Sequence, residues 1–141
     1  MNKKIILASA SPRRRELLAQ IGLEFEVKVS NKEEVYTNTK PQKIVEELAL
    51  MKAENVASDL RTEGVELENI IVIGADTIVV RDDEILGKPK NEAHAYEILL
   101  SLQGRAHEVY TGVAILSYNS IKRVDSKTNF CCPLSSYYER L

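Results

Sequence analysis

A long hydrophobic run is missing from the amino terminus of this 141-residue sequence. The apolar stretch found there covers only residues 5–8. A signal peptide needs an apolar core of about 7–15 residues, and a membrane-spanning helix needs about 20. We therefore expect a cytoplasmic protein that does not associate with a membrane.

A strong excess of one charge is also missing, because the formal net charge is −2. Such a balance is ordinary for a soluble protein and gives no general attraction to polyanions. We therefore do not expect a nucleic-acid polymer among the partners of this protein.

Cysteine is scarce, and its two occurrences are the neighbours Cys131 and Cys132. Adjacent residues rarely bridge each other, and no second pair is present that could complete a metal site. We interpret both as free thiols with no part in the chemistry.

The remaining composition favours one compact α/β domain over residues 1–141. Apolar residues make up 44% of the chain, which is enough for a core, and the length is too small to suggest two domains. Strand-like and helix-like segments mix along the sequence, which indicates the α/β class. The expected order is a strand at 3–8, a helix starting at Pro12 with Ser11 as N-cap, a strand at 25–29, a helix at 41–60, a strand at 70–80 returning through an Asp82-Asp83 turn, a helix capped by Asn91, and a last strand at 108–118.

Positive charge is concentrated where the first predicted helix begins. The first fifteen residues contain five basic side chains and no acid. A helix amino terminus offers free backbone N–H groups, so Ser9, Ser11, Arg13 and Arg14 could form a phosphate cradle. A solvated basic face is the alternative, and both interpretations stay open.

Asp76 lies inside the most strand-like segment of the chain, between Ile73 and Ile78. An ionised carboxylate there is costly to bury unless it is paired or faces a cleft, where it could hold a metal or take a proton from water. The alternative is an aspartate that caps a bulge after Gly74.

Other charged residues give weaker signals. Lys52 falls on the apolar stripe of the second helix, so its ammonium either extends outward to solvent or faces a site. Lys88 is followed by a stiff proline, as suits a lysine that meets a fixed anion. Glu33 and Glu34 are either loop charges or, with Asp76, oxygen ligands for magnesium.

Four segments match, in order, the motifs of a known family. They are Leu-Ala-Ser-Ala-Ser-Pro-Arg-Arg at 7–14, Gly-Ala-Asp-Thr-Ile-Val at 74–79, Gly-Lys-Pro at 87–89 and Gly-Arg-Ala-His-Glu-Val-Tyr-Thr-Gly-Val at 104–113. With Glu34 and Lys52 in their own segments, they show that the chain resembles the Maf proteins, also called septum-formation inhibitors.

The resemblance implies a fold and an activity. The fold would be a bent mixed β-sheet flanked by helices, with a central cleft, similar to that of the inosine triphosphatases. The activity would be hydrolysis of a nucleoside triphosphate to the monophosphate and pyrophosphate with Mg²⁺ or Mn²⁺ as cofactor. The roles carried over by motif are the catalytic residue and metal ligand Asp76, the metal ligand Glu34, and the substrate contacts Ser9, Arg13, Arg14, Lys52, Thr77 and Lys88.

The resemblance further implies a substrate branch. In members that prefer dTTP and UTP, an arginine at the first motif position and a threonine after the aspartate mark specificity, and Arg13 and Thr77 fit that branch. One alternative is a nucleotide-binding or division-regulating protein that no longer turns substrate over, and another is a non-functional remnant that binds no triphosphate.

The resemblance weakens towards the carboxyl end. Residues 3–124 follow the family pattern, whereas 125–141 diverge, and the family's glycine-rich segment does not occur in this sequence, so we expect the fold to lack its C-terminal part. Exposed strand edges would then invite association, so we expect a homo-oligomer, in particular a homodimer, with a marginally stable monomer as the alternative.

Overall fold

The computed structural model describes residues 3–87, 89–118 and 120–131. Along the chain lie β1 (Lys4–Leu7), α1 (Pro12–Gln20), β2 (Glu26–Val27), α2 (Pro41–Thr62), β3 (Ile70–Arg81), β4 (Glu84–Leu86), α3 (Glu92–Leu102), β5 (Ala106–Ser117) and β6 (Ser120–Cys131). The predicted α/β class is confirmed. Among the described residues, no helix is both long and apolar enough to cross a membrane.

The strands form one mixed sheet in the order β2-β1-β3-β5-β6, with β4 also paired to β3. β1 runs parallel to both β2 and β3, whereas β4 and β5 pair with β3 in the antiparallel direction. The long strands β3 and β5 therefore form the centre of the sheet.

Helix α2 packs across β3 and β5 because one side of it is apolar. Its stripe is buried, as expected, and comprises Ile44, Val45, Leu48, Ala49 and Val56. One end of the helix packs against Ile6 and Val72, and the other end against Ile78 and Tyr110. The sheet thus holds α2 along most of the helix's length.

The residues that cap two helices and the turn between β3 and β4 were predicted correctly. Ser11 caps α1 by accepting a hydrogen bond from the backbone N–H of Arg14 at 3.4 Å, and Asn91 caps α3 by accepting one from His94 at 2.8 Å. Asp82 and Asp83 both adopt positive φ (49° and 62°), as a two-residue hairpin turn between β3 and β4 requires.

The prediction that 108–118 is the last strand was wrong, because β6 pairs with β5 along its full length. The apolar residues of β6 do not alternate along Ser-Ile-Lys-Arg-Val-Asp-Ser-Lys-Thr-Asn-Phe-Cys, so the sequence carries no period-two signal there. The hairpin with β5 supplies the strand conformation instead. Cys132 and the side chain of Cys131 lie outside the described residues.

Two glycines allow α2 to approach the sheet closely. A Cβ placed on Gly112 would overlap the backbone of Val45, and one placed on Gly74 would overlap the carbonyl oxygen of Ala49. The contacts involve backbone atoms, which cannot move aside as a flexible side chain can. The close approach of α2 to the sheet therefore requires glycine, which has no Cβ, at both positions.

We predict that Gly112→Ala lowers the free energy of unfolding by about 1–3 kcal/mol, because a methyl group has no room beneath α2. Chemical denaturation measures the change. Gly87→Ala is the matched control, since no atom lies within 4 Å of a Cβ built there and its φ is not positive. Equal stability of the two variants would contradict the close packing of α2.

Candidate active site

A cavity of about 490 Å³ opens beside an interruption in the pairing of β3. On one edge of this strand β1 pairs only up to Ile73, and β4 begins pairing only at Val79. Within the described residues, no strand occupies that edge at 74–78, where the chain after β1 turns away. The cavity is lined by Ala8, Ser9, Ala10, Ser11, Arg14, Val29, Ser30, Glu34, Lys52, Asn55, Asp76 and Thr77.

Asp76 faces α2 from this interrupted stretch. Side chains alternate along a strand, so Asp76 shares a face with Gly74 and Ile78, which both pack against the helix. Its side chain is 19% exposed. The interruption thus lets a largely buried carboxylate of a central strand reach the cavity.

Lys52 on α2 lies between two carboxylates. Its Nζ is 2.7 Å from Oε1 of Glu34 and 3.8 Å from Oδ1 of Asp76. Lys52 therefore does not extend to bulk solvent, which was the alternative left open by its place on the apolar stripe. Its side chain is 23% exposed, and it turns towards the cavity.

The pKa of Asp76 is raised above its usual value. Burial is the main cause, because it penalises the charged form, and the nearby Glu34 carboxylate acts in the same direction. Lys52, Arg14 and a hydrogen bond from the backbone N–H of Thr77 oppose the rise without cancelling it. The carboxylate is thus a stronger base than an aspartate in water.

Arg14 enters the cavity from the first turn of α1 and is held at two points. Its Nη1 donates to Oγ of Ser9 at 3.0 Å, and its Nη2 donates to Oγ1 of Thr77 at 3.1 Å. Ser9 is buried, and its Oγ also accepts from the backbone N–H of Ser11 at 3.2 Å. Burial lowers the pKa of Arg14, and the nearby Asp76 opposes this effect.

The loop that carries Glu34 is tied to α2 by hydrogen bonds to helix side chains. Glu47 accepts from the backbone N–H and hydroxyl of Thr37 at 3.0 and 2.9 Å and from the N–H of Asn38 at 3.2 Å. These bonds, led by that from the Thr37 N–H, lower the pKa of Glu47. The helix thus anchors the loop that brings Glu34 to Lys52.

Most of the residues singled out in the sequence meet in this cavity. Ser9, Arg14, Glu34, Lys52, Asp76 and Thr77 all line it. Arg13 does not line it, because its side chain is 70% exposed and lies 3.6 Å from Glu16 on α1. Lys88 falls outside the described residues. A basic cradle and a carboxylate predicted separately therefore belong to one site.

Sequence reasoning missed three polar residues here, namely Ser30 and Asn55, which both line the cavity, and Thr111 on β5. Asn55 lines the cavity, and its position three residues after Lys52 on a helix could have indicated this. Thr111 lies opposite Thr77 on β5, with the two hydroxyl oxygens 3.1 Å apart. Only the strand register reveals that second contact.

The donor set fits a divalent cation that also binds phosphate oxygens. Among the described residues, no cluster of three or more His, Cys, Asp or Glu side chains could hold a metal alone. Glu34 and Asp76, however, lie on either side of one ammonium group. Mg²⁺ is commonly held by one or two carboxylates together with water and substrate phosphates.

Comparison with known proteins gives matches in sequence and in fold. A family described as Maf-like protein matches residues 4–135. Relatives from Lachnoclostridium phytofermentans and Bacillus mycoides, both named dTTP/UTP pyrophosphatase, are 50% and 53% identical over 90% and 82% of this chain. The match covers 61% and 57% of their own length, so the chain spans about 60% of these relatives.

The Staphylococcus aureus Ham1 protein has a similar fold. Its structure gives a TM-score of 0.57 over 90% of this chain and 70% of its own, at 18% identity. At that identity the likeness concerns the arrangement of helices and strands alone.

We predict that Asp76→Asn stabilises the protein near pH 7. A carboxyl whose folded-state pKa is raised costs stability once it ionises, so the cost is fully present above the folded pKa. The cost disappears as the pH falls through the folded pKa towards the ordinary value of about 4. The melting temperature of Asp76→Asn should therefore exceed that of the wild type at pH 7, and the difference should narrow in acid. A variant less stable than the wild type at pH 7 would show that Asp76 is net stabilising there.

Proposed function

Because the chain belongs to the Maf-like protein family, we propose that it hydrolyses a nucleoside triphosphate to the monophosphate and pyrophosphate. The preferred substrates would be dTTP and UTP or modified pyrimidine nucleotides. Relatives about 50% identical, named dTTP/UTP pyrophosphatase, support this assignment. The chain spans only about 60% of the length of these relatives. The proposed activity therefore rests also on the residues that line the chain's own cavity.

The proposal rests on one observation, which is that a carboxylate with a raised pKa and two cationic side chains line a single cavity. Asp76, Lys52 and Arg14 come from β3, α2 and α1, and all three line the same space. A triphosphate carries several negative charges, which the two cations would offset. The carboxylate supplies a proton acceptor within reach of the same substrate.

In the proposed reaction, Asp76 removes a proton from a water molecule as the water oxygen attacks the α-phosphorus. A bond forms between that oxygen and phosphorus, and the bond from the α-phosphorus to the oxygen that bridges the α- and β-phosphates breaks. Pyrophosphate leaves with the bonding electron pair, and the nucleoside monophosphate remains. The raised pKa of Asp76 favours proton transfer to it.

The cationic side chains would stabilise negative charge as it gathers on the phosphate oxygens. Arg14 is pre-positioned by Ser9 and Thr77, so little side-chain freedom remains to be lost when a phosphate binds. Lys52 would contribute its charge beside the attacked phosphorus. Arg13 and Lys88 remain predicted substrate contacts, from motif resemblance only.

Glu34 and Asp76 are the residues that would hold a divalent cation, Mg²⁺ or Mn²⁺. When bound, such an ion would polarise the phosphate oxygens and lower the pKa of bound water. The cytoplasmic location and the homodimer stay predictions from sequence.

We predict that Asp76→Asn lowers the rate of pyrophosphate release from dTTP and UTP by about 10²–10⁴-fold, the usual contribution of a general base. Asp83→Asn is the control, since it changes the same side chain in the β3–β4 turn, away from the residues that line the cavity. Equal rates for wild type and Asp76→Asn would refute the proposal. A wild type that binds triphosphate without releasing pyrophosphate would favour the binding or regulatory alternative.

The neighbouring arginines offer a matched pair of substitutions. Arg14→Ala should weaken triphosphate binding by about 10–100-fold, the range for loss of a hydrogen bond to a charged group. Arg13→Ala should cost less, because that side chain is exposed and pairs with Glu16. Dissociation constants from calorimetric titration decide this, and equal losses would contradict the orientation of the two side chains.

A further inference from the structure

A chain of three hydrogen-bonding groups leads from the cavity onto β5. Arg14 donates from Nη2 to Oγ1 of Thr77 at 3.1 Å, and that oxygen lies 3.1 Å from Oγ1 of Thr111. Thr77 and Thr111 are direct partners in the antiparallel register of β3 and β5. Thr111 does not line the cavity, so it acts on the site only through its neighbour.

The direction of the first bond is fixed by chemistry. A guanidinium can only donate, so the Thr77 oxygen must offer a lone pair to Arg14. The hydroxyl hydrogen of Thr77 then has to point elsewhere. Thr111 either accepts that hydrogen or donates its own to the second lone pair of Thr77, in which case the Thr77 hydrogen points to solvent.

We propose that Thr111 is a positioning residue for the triphosphate group: it fixes the Thr77 hydroxyl, which in turn aims Arg14. The inference rests on the proposed function and extends it beyond the residues that line the cavity. Without Thr111, the Thr77 hydroxyl can rotate its hydrogen towards the guanidinium, where it opposes the bond. Arg14 would then keep its support from Ser9 and lose part of its second support.

The alternative is that the two threonines merely stabilise the pairing of the strands. The pair is solvent-accessible, with Thr77 exposed and Thr111 partly buried. The strands are also paired by their backbones over nine residue positions, from Val72 opposite Leu116 to Val80 opposite Glu108. A valine is β-branched like threonine and suits a strand equally well, so Thr111→Val removes the hydroxyl with little effect on the sheet.

The test measures binding of the α,β-imido analogue of UTP, which cannot be cleaved at the reacting position, by calorimetric titration in the presence of Mg²⁺. Thr111→Val should raise the dissociation constant about fivefold, as expected for one hydrogen bond. Thr111→Ser, which keeps the hydroxyl, should bind within about twofold of the wild type. Melting temperatures of all variants verify that each is folded, and Thr111→Ala serves as a second hydroxyl-free variant.

A double-mutant cycle separates positioning from general stabilisation. If Thr111 acts through Arg14, Thr111→Val should cause no further loss of affinity in an Arg14→Ala background. Three results would overturn the proposal. The first is wild-type affinity in Thr111→Val, and the second is the same fivefold loss in both backgrounds. The third is a wild type that does not bind the analogue. Pyrophosphate release by the wild type is measured separately. A wild type that binds but releases none would refute the proposed activity and leave the role of Thr111 standing.

Discussion

The attraction between the Asp76 carboxylate and the Lys52 ammonium is the interaction on which the site depends. Burial on a central strand raises the pKa of Asp76, and Lys52 is the strongest influence that opposes the rise. The pair lies at 3.8 Å, and Glu34 shares the same ammonium at 2.7 Å. Without the lysine, two carboxylates would face each other in a partly dehydrated cavity. Lys52 therefore lowers the free-energy cost of an ionised Asp76 in this partly buried site.

The packing of α2 determines where that cation lies. Because Gly74 and Gly112 have no side chain, the helix backbone approaches β3 and β5 closely. Lys52 is carried towards Asp76 by this approach, and the loop with Glu34 is tied to the same helix through Glu47. One packing contact thus serves both the stability of the core and the electrostatics of the site.

The interruption in the pairing of β3 makes the carboxylate accessible. Asp76 and its neighbour Thr77 point to opposite faces of the strand, and Lys52 and Arg14 approach them from different helices. A strand paired along both edges would close this access. Asp76 and Thr77, although consecutive, therefore both line one cavity, which lies between the end of β1 and the start of β4.

Local patterns predicted much of the fold, and non-local pairing explains what they missed. The stripe of α2, the caps Ser11 and Asn91 and the turn at Asp82 were visible because each signal spans only a few residues. β6 was not predicted, because its apolar residues do not alternate and its conformation comes from pairing with β5.

The same distinction holds for the site. Asp76 was identifiable from its apolar neighbours, yet its partner Lys52 lies on another element. Adjacent helical residues point about 100° apart, so Arg13 and Arg14 leave the helix in different directions, and the sequence alone does not say which of them lines the cavity. The Thr77–Thr111 contact depends on strand register, which no local pattern encodes.

The most direct test of the central interaction is an NMR titration of the Asp76 side-chain carboxyl in the wild type and in Lys52→Met. The account predicts a wild-type pKa above the usual aspartate value and a further rise when the ammonium is replaced by an uncharged side chain of similar length. A wild-type pKa at or below the usual value, or one that Lys52→Met leaves unchanged, would contradict it.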